Sequence, residues 1–305
     1  MTHMTRRSAL MAGAALPLAA SAIPGPAAAA GHAGPAGQSR TFLLGDMEVS
    51  VLLAGNAVRE GDMQGTFGMN VDAETFADVS RAAFLPTDKG VFFFQPTVVK
   101  TGDEVVLFDT GLNANGITAA LESAGVARGD VTTVVITHMH GDHIGGLMDG
   151  DALTFGDVRY VTGEAEMAGW QGRGSDSFEQ VITPMADRFE LIADGAEIVP
   201  GITATAMFGH TPGHMGYRMA SGDAQAMLTA DMANHYVWSL GHPDWEVRFD
   251  MDKAAAAATR RRVLDMVSTD RIPMIGYHMP FPAVGYVETA GDGFRWVPES
   301  YQLML

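Results

Sequence analysis

The segment VVITHMHGDHIGGL, residues 134–147, constrains the fold more than any other part of the chain. Its apolar, β-branched beginning predicts a buried strand. Three histidines and an aspartate follow within six residues. His138 and His140 stand two residues apart, so both project to one side as the strand ends, and Gly141 permits a sharp turn that brings Asp142 and His143 beside them. Four ligand-type side chains in one turn indicate a metal site at the end of a strand.

Strand and helix patterns alternate around this segment. Residues 104–111 predict a buried strand that ends in a turn, residues 117–125 predict an amphipathic helix closed by a glycine, and residues 131–137 predict the strand before the histidines. Farther along, residues 202–214 and 217–231 predict paired strands with a Ser-Gly-Asp turn between them. The alternation favours a layered α/β domain with polar residues at the strand ends.

A long helix follows near the end of the chain, over residues 252–270. Its basic stripe is expected to form a solvated face and consists of Arg260, Arg261 and Arg262. A short strand is predicted next, over residues 272–278.

Three further ligand candidates follow later apolar runs: His210, Asp231 and His278. Each is expected at the end of a buried strand, at the same edge of the sheets as the histidine cluster. The chain has no cysteine, so thiolate ligands and disulfides are excluded. Imidazole and carboxylate ligands without thiolate suit Zn²⁺, and also manganese, iron or cobalt.

The composition limits the partners of the chain. Its 305 residues are 47% hydrophobic, which is enough for one large domain or two small ones. The formal net charge of −17 argues against nucleic acid and against an anionic lipid surface, because both need a surplus of Lys and Arg. A neutral small molecule, such as an ester, a lactone or a phosphotriester, is easier to reconcile with this charge.

Residues 1–33 are expected to be an export signal and disordered leader. Arg6 and Arg7 precede an Ala-rich apolar run and several small residues that suit signal-peptide cleavage. The arginine pair resembles a twin-arginine signal, although Ala9 stands where that signal usually carries Phe. We therefore expect a periplasmic or secreted protein without stable membrane insertion. The alternative is a disordered tail rich in Ala, Pro and Gly.

The stretch THMHGDHIGG resembles the HxHxDH signature of the metallo-β-lactamase-fold superfamily. The order of the later candidates is similar to that in its dinuclear hydrolases. The resemblance runs from about residue 41 to the end of the chain, so we expect a hydrolase domain over residues 41–305. It implies an αββα sandwich with the metals at one edge.

The resemblance also implies a role for each ligand candidate. His138, His140 and His210 would hold a first divalent ion. Asp142, His143 and His278 would hold a second, and Asp231 would bridge the two. Asp109, in the stretch FDTG, would orient a ligand imidazole, with a plain turn aspartate as the alternative. His214 is expected to be structural.

The chemistry implied is hydrolysis by a hydroxide that bridges two divalent ions. Asp142 or Asp231 would pass a proton to the leaving oxygen. Within the superfamily, the chain is most similar to the group that contains methyl parathion hydrolase and the aryl ester and lactone hydrolases. Asn234 stands where the N-acyl homoserine lactone lactonases carry a catalytic tyrosine, and Tyr236 follows two residues later.

These observations favour an exported dinuclear metallohydrolase that opens a lactone or cleaves a carboxylic (aryl) ester. An organophosphate triester hydrolase and a non-catalytic ligand-binding member of the fold remain alternatives, and a homodimer stays open. Aromatic residues are candidates for the substrate pocket, with core packing as the other interpretation: Phe92, Phe93, Phe94, Trp238, Trp245 and Phe281.

Overall fold

The computed structural model describes residues 37–304. The predicted leader, residues 1–33, lies outside this range. The strands, in chain order, are β1 (Gln38–Leu44), β2 (Met47–Leu53), β3 (Gly55–Glu60), β4 (Lys89–Phe94), β5 (Thr97–Thr101), β6 (Glu104–Phe108), β7 (Thr133–Ile136), β8 (Met148–Asp149), β9 (Ala152–Leu153), β10 (Arg159–Gly163), β11 (Phe189–Ile192), β12 (Glu197–Val199), β13 (Ile202–Ala206), β14 (Met215–Ser221), β15 (Ala224–Ala230), β16 (Met274–Gly276), β17 (Val284–Ala290) and β18 (Gly293–Pro298).

Five α-helices lie within the described range: α1 (Ala73–Ala82), α2 (Ala114–Ser123), α3 (Gly141–Ile144), α4 (Glu164–Trp170) and α5 (Lys253–Asp270). Shorter helical turns are 3₁₀ at Arg128–Asp130, Thr183–Arg188 and Gln302–Met304, and π at Phe178–Ile182. None of the helices described has both the length and the hydropathy that crossing a membrane requires.

Two seven-stranded sheets form the body of the protein. The first has the strand order β1-β2-β5-β6-β7-β10-β11, and the second has the order β12-β13-β14-β15-β16-β17-β18. Helix α2 packs on the first sheet and α5 packs on the second. One hydrophobic cluster lies between the sheets, and a separate one joins α2 to the outer face of the first sheet. The expected αββα sandwich is confirmed.

Strand β7 shows why the central strands are apolar without alternation. Val135 faces the core between the two sheets, whereas Val134 and Ile136 face the helical layer outside. A parallel strand covered on both faces is apolar at every position, as the run before the histidines predicts. Between the sheets, the rings of Phe108 and Tyr217 lie with their centroids 4.9 Å apart.

Parallel pairing brings several strand ends to one edge. Strands β6, β7 and β10 run parallel in the first sheet, and β15 and β16 run parallel in the second. The chain leaves β6 and β15 through non-glycine residues with positive φ, 62° at Asp109 and 43° at Ala230. Such strained residues persist where the surrounding contacts hold them.

A two-stranded ribbon, formed by β3 and β4, lies outside both sheets. Its strands pair antiparallel, with Ala57 opposite Phe92 and Arg59 opposite Gly90. Directly opposed residues share one face of a ribbon. These four residues therefore share a face, and their neighbours along each strand share the other.

The prediction that the basic stripe of α5 is a solvated face is wrong for Arg260. This residue is fully buried, whereas Arg261 and Arg262 are exposed. Its guanidinium donates hydrogen bonds to the carbonyl oxygens of Pro243 and Trp245 and to the carboxylate of Asp250. The loop before α5 folds over this side of the helix, which a helical pattern alone does not reveal.

Glu166, on α4, joins the loop that carries His138 and His140 to the loop that carries His210. It is fully buried, and its carboxylate accepts hydrogen bonds from the backbone of Met139 at 2.9 Å and of Gly213 at 2.8 Å. The Trp170 indole and the Thr211 hydroxyl donate to it as well, at 2.6 and 2.7 Å. Four donors converge on one anion, so the carboxylate fixes both loops against α4.

Glu166→Gln tests this junction. A glutamine would turn an NH₂ group towards donors, so we expect the free energy of unfolding in urea to fall by at least about 2 kcal/mol. Glu164→Gln is the matched control, because Glu164 is an exposed residue on the same helix. Equal stability of the two variants would show that Glu166 has no such role.

Candidate metal centre

The structure brings all seven predicted ligand residues to the edge where the strands end, in two groups. The first group contains His138, His140, His210 and Asp231. Nε2 of His138 and Nε2 of His210 each lie 3.0 Å from Nδ1 of His140. Four ligand atoms at about 2.0–2.1 Å from a tetrahedral Zn²⁺ would lie about 3.3 Å from one another, close to this spacing.

The second group contains Asp142, His143 and His278. Oδ2 of Asp142 lies 3.3 Å from Nε2 of His278 and 3.7 Å from Nε2 of His143. His143 and His278 are buried, and the Asp142 side chain retains 23% of its exposure. Asp142 is thus the carboxylate of this group that reaches the open side.

The Asp231 carboxylate lies between the two groups. Its Oδ2 is 3.4 Å from Nε2 of His210 and 3.1 Å from Nε2 of His278, and its Oδ1 is 3.3 Å from Nε2 of His143. One carboxylate therefore reaches ligand atoms of both groups, as a bridging ligand must.

The donor atoms fit divalent cations. Among the described residues, Nε2 of His143 and Oδ1 of Asp231 are buried and lie 3.3 Å apart, but neither atom makes a contact with hydrogen-bond geometry. A buried carboxylate oxygen without a well-formed hydrogen bond costs free energy that a cation would recover. The two groups together could hold two divalent ions, such as Zn²⁺, that bind imidazole and carboxylate ligands.

The protonation of the two groups differs. Burial, followed by the nearby charge of His143, holds the pKa of His138 well below its usual range, and burial with the charge of His210 lowers the pKa of His140 to about 3. Burial also opposes the charged forms of His143 and His278. Adjacent carboxylates, Asp231 first, outweigh it and raise the pKa of His143 well above 6.5 and that of His278 to about 10.

Outer carboxylates hold two of the imidazoles. Oδ2 of Asp109 lies 2.8 Å from Nδ1 of His143, and the backbone and hydroxyl of Thr137 donate to the same carboxylate. Asp109 is thus in contact with a ligand candidate, where the resemblance places it. Oδ1 of Asp250 lies 3.0 Å from Nδ1 of His210 in the same manner.

Asp250 makes a contact that the sequence did not predict. The carboxylate is buried and paired with Arg260 at 2.7 Å. Burial raises its pKa, but hydrogen bonding to His210 and the charge of Arg260 outweigh burial and lower the pKa below 3.8. The only signal was an aspartate before a helix that also contains an arginine, and that pattern is common on protein surfaces.

Two further buried groups contact Asp231. Nε2 of His214 accepts a hydrogen bond from the Asp231 backbone at 3.1 Å, in agreement with a structural role for His214. Nδ2 of Asn234 donates to Oδ2 of Asp231 at 3.0 Å. Asn234 is 2% exposed, so this hydrogen bond holds the Asp231 carboxylate from its buried side.

A cavity of about 510 Å³ opens above the two groups. Its lining includes His140, Asp142, Asp231 and His278. The remaining lining residues are Ala57, Arg59, Phe92, Phe94, Leu112, Gly141 and Phe249. Of these, only Phe92 and Phe94 were among the predicted pocket residues.

The predicted aromatic residues divide among several places. Phe92 and Phe94 line the cavity above the metal centre. Phe93 and Trp238 line a second cavity of about 320 Å³, on the other face of the ribbon. Trp245 and Phe281 line neither of these two cavities, and the ring of Trp245 packs on Phe76 and His242, with centroids 5.7 and 4.3 Å apart.

Metal uptake by the second group should release protons. Metal ligands must be deprotonated, and the raised pKa values of His143 and His278 leave both imidazoles protonated at pH 7 in the metal-free protein. We expect about two ions per chain, with the affinity of the second ion rising steeply with pH up to about 10.

Calorimetric titration at pH 7, in two buffers of different ionisation enthalpy, measures this proton release. The first group provides the internal control, because the lowered pKa values of His138 and His140 leave those imidazoles neutral and ready to bind. Saturation at one ion, or identical heats in both buffers for the second ion, would contradict the assignment.

Comparison with known proteins agrees with this geometry. A family model described as the metallo-beta-lactamase superfamily matches residues 95–273. Metallo-beta-lactamase domain-containing protein 1 of Homo sapiens is 32% identical over 197 residues, which are 62% of this chain and 64% of that protein. Anti-Pycsar protein Apyc1 of Paenibacillus sp. (strain J14) is 28% identical over 153 residues, 46% of this chain and 61% of that protein. The chain thus spans less than two thirds of the length of these relatives.

Among solved structures, AidC has a similar fold. AidC is a dizinc quorum-quenching lactonase, and its structure is a complex with the product N-hexnoyl-L-homoserine. The TM-score is 0.80 at 22% sequence identity, over 88% of this chain and 99% of that one. The family model covers more than half of the chain, and the fold and the converging histidines agree with it. The chain belongs to the metallo-beta-lactamase superfamily.

Proposed function

We propose that this chain is a dinuclear metallohydrolase that opens a lactone or cleaves a carboxylic ester, such as an aryl ester, of a small molecule. The observation that carries the proposal is the Asp231 carboxylate, which reaches both ligand groups at the floor of a largely apolar cavity. The dizinc lactonase AidC has the same fold, which supports both the hydrolase and zinc. Manganese, iron and cobalt suit the same ligands.

The ligand residues divide the work of binding. His138, His140 and His210 would hold one ion, Asp142, His143 and His278 the other, and Asp231 both. When bound, such ions supply a hydroxide nucleophile near neutral pH and polarise the carbonyl oxygen of the substrate. Asp109 and Asp250 would keep the imidazoles of His143 and His210 in one tautomer and orientation.

Asp142 is best placed to move a proton. Its carboxylate lines the cavity and is partly exposed, whereas the Asp231 side chain is 3% exposed. The charge of His143 and a hydrogen bond from His278 outweigh burial and lower the pKa of Asp142 to about 2. Asp142 is therefore ionised at neutral pH, and in the loaded site it would accept the proton that the attacking hydroxide loses and pass it to the leaving oxygen, while Asp231 would remain a ligand.

The wall of the cavity fits an apolar or aryl group. Phe92, Phe94 and Phe249 surround the open side together with Leu112. These side chains exclude water and leave room for a small molecule, because 510 Å³ lies within the usual range of ligand pockets. An aryl ester would pack its ring against this wall.

Among residues 37–304, no tyrosine lines the cavity above the two ligand groups, and Asn234 occupies the position where the lactonases carry their catalytic tyrosine. Asn234 is buried beneath Asp231, and Tyr236 lines the second cavity. Lactone opening by this chain would therefore depend on the ions and Asp142 alone. The structure therefore gives no reason to favour a lactone over a carboxylic ester as the substrate.

Asp231→Asn tests the centre of the proposal. Loss of the bridging charge weakens both ion sites, so we expect kcat towards phenyl acetate and a γ-lactone to fall by about two orders of magnitude, or about 3 kcal/mol in the barrier. Asp223→Asn is the matched control, because Asp223 is exposed at the other end of β15. Near wild-type turnover and metal content in Asp231→Asn would refute the bridging role.

The same assay separates the alternatives. A phosphotriester such as methyl parathion, turned over faster than both carboxylic substrates, would favour the organophosphate hydrolase. No turnover of any of the three by protein that contains two ions per chain would favour a non-catalytic binding member of the fold.

We also propose export through a twin-arginine signal. Arg6 and Arg7 support it, together with the small residues that follow them. Changing both arginines to lysine should leave the protein folded in the cytoplasm, as fractionation with immunoblotting would measure. Arg128→Lys with Arg173→Lys is the control with an equal number of changes. Normal periplasmic delivery of the Arg6, Arg7 variant would contradict the proposal.

A further inference from the structure

An arginine lines the cavity above the metal centre. Arg59 lies on β3 and shares the cavity-facing side of the ribbon with Ala57 and Phe92. It is half-buried, and it lines the same cavity as Asp142 and Asp231. Arg59 therefore belongs to the wall that a bound small molecule would contact.

This guanidinium has no partner among residues 37–304. No carboxylate in that range lies within ion-pair distance of it, and no side-chain hydrogen bond holds it. Arg260 is the opposite case, because it is fully buried and bound to Asp250 and two carbonyl oxygens. A guanidinium without an ion-pair partner can bind an anionic ligand without first breaking an existing pair.

The surroundings of Arg59 favour an anion. Its neighbours on the wall, Phe92, Phe94 and Phe249, are apolar and strengthen an ion pair by excluding water. The carboxylates of Asp142 and Asp231 would be engaged by the ions at the floor. The net charge of −17 belongs to the whole chain, whereas the charge that a substrate meets is set by the cavity lining.

We propose that Arg59 forms a carboxylate subsite, and that the substrate carries a carboxylate at the end remote from the bond that is cleaved. The inference rests on the proposed hydrolase function and narrows its substrate class from neutral esters to monoanionic ones. A guanidinium suits this task because its planar N–H groups match the two oxygens of a carboxylate.

The kinetic test uses esters that differ only in charge. The anionic series is 4-acetoxybenzoate and its homologues with one or two methylenes between ring and carboxylate, and 4-isopropylphenyl acetate is the neutral counterpart of similar shape. We expect Arg59→Gln to lower kcat/KM for the best anionic ester by about tenfold, mainly through KM, and to change the neutral ester less than about twofold. Arg81→Gln, at an exposed residue on α1, is the control of equal charge change.

The binding test does not require turnover. 4-Acetamidobenzoate and 4-isopropylacetanilide are amide counterparts of the same pair, and calorimetry with metal-loaded protein measures their affinities. We expect the carboxylate to bind more tightly than the neutral amide, and Arg59→Gln to remove that difference. If Arg59→Gln lowers the affinity for both amides equally, or for neither, the subsite proposal is overturned.

The outcomes separate the two proposals. Turnover of both esters with equal effects of Arg59→Gln on each would overturn the subsite and leave the hydrolase intact. Absence of turnover together with binding of 4-acetamidobenzoate that depends on Arg59 would overturn the hydrolase and support the subsite.

Discussion

Seven titratable side chains share one buried edge of this protein, and the rest of the structure depends on how that edge is neutralised. Three imidazole nitrogens of the first group lie 3.0 Å from one to the next, and Asp231 is surrounded by imidazoles of both groups. Removing such groups from water is costly unless opposite charges compensate. Protons on His143 and His278 provide part of that compensation in the metal-free protein, and divalent ions would provide it completely.

The αββα sandwich makes this concentration possible because its parallel strands end at the same edge. The two sheets supply different ligands, and buried polar side chains fix the loops between them. Glu166 fastens the loops of both sheets to α4, and Asp250 connects His210 to the buried Arg260. Both oxygens of each of these carboxylates have a hydrogen-bond partner, as buried polar groups require. The precision of the centre therefore comes from residues that do not themselves reach the cavity.

The sequence predicted the parts of the site that depend on local spacing. His138, His140, Asp142 and His143 follow one strand, so strand periodicity and a glycine turn suffice to bring them together. His210, Asp231 and His278 are distant in the chain, and their grouping was predicted from the resemblance. The fold was predicted from the same resemblance and from strands that are apolar at every position.

Residues whose roles depend on tertiary packing were not predicted. Arg260 looked like part of a solvated stripe, and only the loop that covers α5 makes it a buried partner of Asp250. Arg59 gave no signal, because the ribbon faces a cavity that exists only in the folded chain. Aromatic residues were assigned to the pocket by type, whereas the alternation along the ribbon decides that Phe92 and Phe94 face the metal centre and Phe93 does not.

The Asp231 carboxylate is proposed to join two ion sites. Anomalous difference maps from crystals grown with Zn²⁺ test it most directly. We expect two peaks per chain, about 3.5–4 Å apart, one against His138, His140 and His210 and one against Asp142, His143 and His278, with Asp231 touching both. A single peak, or two peaks of which only one contacts Asp231, would contradict the account.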